Sequence, residues 1–225
     1  MTSSGQTSRI FVGRQREMGE LRAALKESFA GHGRIVMLMG EPGIGKTRTA
    51  EELASHAETQ GAQVLWGRCY EEDGAPSYWP WVQAIRSYVE PRNSDQLRVD
   101  LGPNAADFAE IVPEIRRKLT DLETPPDLPP EQARFRLFES ITSFLKTLAR
   151  SKPIMLVLDD LHWADEPSLL LLQFLAQQLA DSHILVVGCY RDVELSRQHP
   201  LSETLARISR EADYQRHALR RMGPG

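Results

Sequence analysis

The chain has 225 residues, 41% of them hydrophobic and 26% charged, with a net charge of −4 at neutral pH. Those values suit one sizeable globular domain, or one and a part, and exclude a low-hydrophobicity disordered chain. The balance of charge gives no support for a dedicated nucleic-acid binder, and no apolar run approaches the ~18 residues of a membrane span.

Met1 to Ser8 is polar and lacks the apolar core of a secretory signal, so residues 1–9 read as a disordered N-terminus. Met18, Leu21, Leu25 and Phe29 then share one face of a predicted helix, which Gly31-His32-Gly33 breaks. Ile35 to Met39 is an apolar run that reads as a buried strand. It leads into Gly40-Glu41-Pro42-Gly43-Ile44-Gly45-Lys46-Thr47, which fits the phosphate-loop pattern G-x-x-x-x-G-K-[ST] at every fixed position. Ala50, Leu53, Ala54 and Ala57 continue as a helix to a Gly61 stop. Gln63 to Gly67 is a second strand, running into Arg68-Cys69-Tyr70.

Residues 73–130 are less regular and read as a helical insert. Ser77 to Trp81 opens a helix carrying Val82, Ile85 and Val89, and Thr124 to Pro130 is a proline-rich linker. A strong helix follows from Glu131, with Phe135, Phe138, Ile141, Leu145 and Leu148 in register. Ile154 to Leu158 is a continuous apolar strand ending in Asp159-Asp160. Asp165 is placed to cap a helix that carries Pro167 in its first turn and is apolar nearly all round from Leu169 to Leu179. Ile184 to Gly188 is the next buried strand, ending at Tyr190-Arg191-Asp192. Leu201, Leu205 and Ile208 mark a last amphipathic helix, so residues 196–225 read as a helix and tail. Strands alternating with helices predict an α/β fold: a three-layer, mostly parallel sheet with helices on both faces and its site at the carboxyl edge.

The chemistry follows from the two strand ends. Glycines let backbone wrap a phosphate closely, and the loop amides with the positive end of the next helix face the anion. Lys46 would neutralise β- and γ-phosphate oxygens, and Thr47 would place its hydroxyl on Mg²⁺. Asp159 would hold Mg²⁺ beside Thr47, and Asp160 would polarise the attacking water. No guanine-reading N-K-x-D pattern is present, which favours ATP. Cys69 and Cys189 lack metal-ligand spacing and read as buried thiols, fitting a reducing cytoplasm.

Several motifs together resemble a family. Phe11-Val12-Gly13-Arg14-Gln15-Arg16-Glu17, the run Gly40 to Arg48 and the run Leu156 to Asp165 (L-V-L-D-D-L-H-W-A-D) are similar to the AAA-like P-loop ATPase modules of signal-transduction NTPases with numerous domains. The Tyr70–Trp81 segment resembles the insert of versions in large LuxR-type regulators and cyclase-linked ATPases. The resemblance extends from Ile10 to Leu195 and implies a module over residues 10–195. It implies that Val12, Gly13 and Arg14 lie near the adenine, that Arg48 closes the phosphate motif, and that Arg191 is a sensor arginine reaching the γ-phosphate. It also implies a downstream helical lid and effector domains, which residues 196–225 do not supply, so self-association or a separate effector or lid partner is expected. Direct DNA binding by this segment and membrane association are not.

The leading expectation is therefore an ATP-binding, Mg²⁺-dependent ATPase module acting as a regulatory switch, in which Lys46, Asp160 and Arg191 carry the chemistry. A small-molecule or nucleotide kinase and a non-hydrolysing nucleotide-binding protein are the alternatives. Some single residues have two readings. Arg191 could pair with Glu194 or Asp192, and Arg14 could be a solvated helix-start cation. His162-Trp163 could shape the nucleotide edge or pack a helix start. Trp66, Tyr78, Trp79 and Trp81 could be core or a partner surface. Arg207, Arg210, Arg216, Arg220 and Arg221, interleaved with acids, read as a solvated face.

Overall fold

A computed structural model describes residues 14–71, 75–196 and 198–220. In chain order the main elements are α1 (Gln15–Phe29), β1 (Arg34–Met39), α2 (Lys46–Thr59), β2 (Gln63–Arg68) and α3 (Trp79–Val89). Then come α4 (Ser94–Leu101), α5 (Ala105–Ile111), α6 (Glu114–Lys118), α7 (Pro130–Ser151), β3 (Ile154–Asp159) and α8 (Glu166–Ala176). β4 (Ile184–Tyr190), α9 (Pro200–Glu211) and β5 (Tyr214–Ala218) complete them.

The five strands form one sheet in the order β2-β3-β4-β1-β5, and every pair is parallel. Parallel strands covered on both faces need side chains that are apolar on both, and β3 and β4 are buried along their whole length. The two faces separate by strand period. Val36, Leu38, Met155, Val157, Leu185 and Val187 pack against α1 and α2 through Leu21, Leu25, Ala50 and Leu53. Ile35, Met37, Ile154, Leu156, Ile184 and Val186 belong to the larger core, shared with α3, α7, α8 and α9. This is the three-layer α/β fold of a P-loop NTPase.

Within the 73–130 insert, residues 94–118 fold as short helices around Leu97, Phe108 and Ile115. α4 begins at a capping box, in which Gln96 N donates to Asn93 Oδ1 at 2.9 Å and Asn93 N donates to Gln96 Oε1 at 3.3 Å. Two expectations change. Residues after α9 are not all tail, because Tyr214–Ala218 adds β5 to the sheet beside β1. Phe135, in register on α7, is 54% exposed and stacks edge-on against Phe174.

α3 lies directly on β2. A Cβ on Gly67 would sit 1.9 Å from the Pro80 carbonyl oxygen, a backbone atom with no rotamer to yield. Gly67→Ala should therefore cost about 1–3 kcal/mol and lower the melting temperature by several degrees. Gly19, exposed within α1 with nothing within 4 Å, is the control: Gly19→Ala should raise stability by about 0.5–1 kcal/mol. Thermal denaturation of the two variants checks both signs.

Candidate functional site

The strand order sets the site. β4 lies between β1 and β3, so the carboxyl ends of all three open on one crevice where the direction of winding reverses. The loop after β1 supplies residues 40–47, β3 supplies Asp159 and Asp160, and β4 supplies Arg191. Gly40, Gly43 and Gly45 take φ of 149°, 72° and 99°, values that side chains disfavour. Gly40 is also pressed against the residue that follows β5: a Cβ there would meet the Leu219 carbonyl oxygen at 2.6 Å.

Lys46 is buried, and its ammonium donates to the Gly40 carbonyl at 2.8 Å and the Glu41 carbonyl at 3.0 Å. Burial lowers its pKa and nearby Arg191 lowers it further, while Cys189, Asp160 and Asp159 oppose the shift. Thr47 Oγ1 donates to Asp159 Oδ2 at 2.9 Å, joining residues 112 apart in sequence. Burial raises the Asp159 pKa, and the Thr47 bond restrains the rise. Hydroxyl and carboxylate oxygens in contact fit a hard cation such as Mg²⁺. Among the described residues no group of three or more His, Cys, Asp or Glu could hold a metal.

Asp160 is held in left-handed backbone, φ 55° and ψ 41°, unusual for a residue with a Cβ. Its Oδ2 accepts from Arg68 Nε at 3.0 Å and Nη2 at 2.8 Å. Arg68 belongs to no motif; it reaches the site because β2 neighbours β3 with Arg68 opposite Asp159. His162 lies beyond, its side chain wholly buried and neither ring nitrogen hydrogen-bonded. Its Nε2 is 4.0 Å from Asp160 Oδ1 and 3.3 Å from Glu194 Oε2, and burial depresses its pKa. Arg191 Nη1 donates to Glu194 Oε1 at 2.7 Å, and its guanidinium carbon is 4.6 Å from the Trp163 ring centre.

The structure gathers Lys46, Thr47, Asp159, Asp160 and Arg191 at one edge. Arg14, also in left-handed backbone, donates to the Ile44 carbonyl at 2.5 Å and so braces the glycine loop. Arg48 pairs along α2 with Glu51 and Glu52. Val12 and Gly13 lie outside the described residues. Asp165 takes the cap position of α8 by backbone alone; its carboxylate accepts from Tyr78 N at 3.2 Å and ties the insert to the site. Cys69 and Cys189 are both buried free thiols, and burial with the neighbouring Asp159 raises the Cys189 pKa. Trp81 is core, donating to the Ser168 carbonyl at 3.2 Å.

A curated relative, an uncharacterized protein of Rhizobium meliloti (strain 1021), is 22% identical over 204 residues, covering 83% of this chain and 19% of its own length. Among solved structures, a signal-transduction ATPase with numerous domains and a tetratricopeptide repeat sensor from Pyrococcus horikoshii is 16% identical. Its TM-score is 0.49, over 96% of this chain and 24% of that one. A chain of Drosophila ORC bound to DNA is 13% identical at a TM-score of 0.46, over 92% of this chain and 93% of that one. The chain thus spans about a fifth of the Rhizobium protein and a quarter of the Pyrococcus one. The family model of the AAA ATPase domain aligns from residue 10 to residue 187, from before the glycine loop into β4, and the chain belongs to that family.

Proposed function

We propose that this chain is an ATP-binding, Mg²⁺-dependent ATPase module that works as a nucleotide-driven regulatory switch. The observation that carries it is the Thr47–Asp159 hydrogen bond beside the buried Lys46 ammonium. Two motifs far apart in sequence meet there with the groups that phosphate and a divalent cation require. Mg²⁺, when bound, would neutralise charge on the phosphate oxygens. Lys46 would exchange the Gly40 and Glu41 carbonyls for β- and γ-phosphate oxygens. Thr47 and Asp159 would hold the cation, Asp160 would orient the attacking water, and Arg191 would meet the γ-phosphate. Arg14 would help to shape the adenine side through its bond to Ile44. Assignment to signalling or transcriptional control rests on the motif resemblance, as does the expectation of a self-association or lid partner. A cytoplasmic location fits the two free thiols.

The kinase alternative needs cations free to receive an acceptor. In the insert, Arg86 pairs with Glu114, Arg92 with Asp100, Arg98 with Asp121 and Arg116 with Glu110. Lys118 donates to the carbonyls of Val89, Glu90 and Arg92. These five charges hold the insert together, which weighs against a basic acceptor lid built from them.

Lys46→Ala removes the ammonium that would meet the phosphates, along with its present bonds to the Gly40 and Glu41 carbonyls. Mg-ATP affinity should fall about a hundredfold with the circular dichroism spectrum unchanged; a wild-type isotherm for this variant contradicts the site. The acids should separate: Asp160→Asn should keep ATP affinity and lose about 10²–10⁴ in turnover, while Asp159→Asn should raise the Mg²⁺ concentration that half-saturates binding. Steady-state kinetics across a Mg²⁺ series reads both, and undiminished turnover in Asp160→Asn removes Asp160 from its role. With Asp160 tied to Arg68 and Arg191 to Glu194, the wild type should hydrolyse ATP below about 1 s⁻¹ and faster as protein concentration rises. Fast turnover that is independent of concentration would oppose the switch.

A further inference from the structure

Arg191 is followed at once by a tight 3-10 turn, Asp192–Glu194. Such a turn has three residues per revolution, so residues three apart lie on one side. The chain itself therefore sets Glu194 beneath Arg191. The carboxylate uses both oxygens: Oε1 accepts from Arg191 Nη1 at 2.7 Å, and Oε2 is 3.3 Å from His162 Nε2. The guanidinium is also laid on Trp163, 4.6 Å from the ring centre, and Trp163 in turn stacks on His162 with centroids 4.4 Å apart. Arg191 thus has three neighbours of its own: an acid, an aromatic face and the imidazole behind them. Met39 pairs with Tyr190 across β1 and β4, so Arg191 leaves β4 at the same sheet edge where the glycine loop leaves β1 and Asp159 ends β3, on the side where a terminal phosphate would lie.

We infer that Glu194 is a specificity-determining residue: it competes with the γ-phosphate of a nucleoside triphosphate for Arg191, so that the site distinguishes triphosphate from diphosphate by whether this one ion pair is exchanged. The inference rests on the nucleotide reading given above. A diphosphate lacks the group that would draw Arg191 away and leaves the pair intact. A triphosphate offers a stronger, more buried anion than Glu194, whose side chain is 35% exposed. Arg191 would then leave the Trp163 face, and Glu194 would be left beside the buried His162. His162 also lies 4.0 Å from Asp160, whose partner is Arg68. Exchange at Arg191 therefore changes the charge facing the water-orienting acid through one intervening ring.

The test is a double-mutant cycle on the full chain, with ATP and ADP titrated in Mg²⁺ against wild type, Glu194→Gln, Arg191→Ala and the double variant. Glu194→Gln is isosteric and half-exposed, so folding is not at stake. It should tighten ATP about fivefold, the upper end for a half-exposed ion pair, and leave ADP unchanged. In the Arg191→Ala background the same substitution should change neither nucleotide. Tryptophan emission should shift on addition of ATP and not ADP, and Trp163→Phe should abolish the shift. If Glu194→Gln tightens ATP and ADP equally, or keeps its gain without Arg191, Glu194 acts as a diffuse repulsive charge and the inference is overturned. An unchanged ATP affinity in Glu194→Gln overturns it too. Lys46→Ala measured alongside separates the two levels: if that variant binds ATP as the wild type does, the nucleotide reading itself fails and takes this inference with it.

Discussion

Everything at the proposed site depends on one topological constraint, the insertion of β4 between β1 and β3 in an all-parallel sheet. Parallel strands all end on the same edge, and the reversal of winding leaves a crevice there. Because β3 and β4 are buried on both faces, they stay apolar until they reach the carboxyl edge, and their charged groups appear only there. The glycine loop, Asp159, Asp160, Arg68 and Arg191 are each the first polar groups after an apolar run. Their convergence is a consequence of sheet order, not of sequence proximity.

Bringing three cations and three carboxylates to one edge has an electrostatic cost unless each finds a counter-charge. The structure meets it pairwise: Arg68 with Asp160, Arg191 with Glu194, and Lys46 against loop carbonyls with Asp159 and Asp160 nearby. Each pair leaves a group of the proposed chemistry occupied by a protein partner. On the proposed reading, a nucleotide would bind by exchanging partners rather than by filling an idle site. Exchange of that kind would convert a local phosphate contact into rearrangement of the β4–α9 connection and of the Asp160 turn, which is what the proposed switch requires.

The parts legible in the sequence were those with local signals. Apolar runs marked β1 to β4, and the glycine loop between a strand and a helix announced its own context. Asp159-Asp160 stood out because two acids ended a continuous apolar strand. Arg68 was not legible, since its meaning depends on β2 lying next to β3, a pairing no local pattern states. β5 was hidden because Tyr-Gln-Arg-His-Ala is polar and half-exposed at a sheet edge, where only one neighbour constrains it. Asp165 has cap spacing, yet its carboxylate serves the Tyr78 amide from another element. The Arg191–Glu194 pairing was one of two spacings open in the sequence, and the 3-10 turn after β4 selects it.

The most direct test of the account is a crystal structure of the protein with Mg²⁺ and a non-hydrolysable ATP analogue. The account predicts phosphates against residues 40–47, Lys46 Nζ moved from the Gly40 and Glu41 carbonyls onto phosphate oxygens, and a cation between Thr47 and Asp159. A nucleotide bound elsewhere, or bound with Lys46 still on its carbonyls and no cation near Thr47 and Asp159, would contradict it.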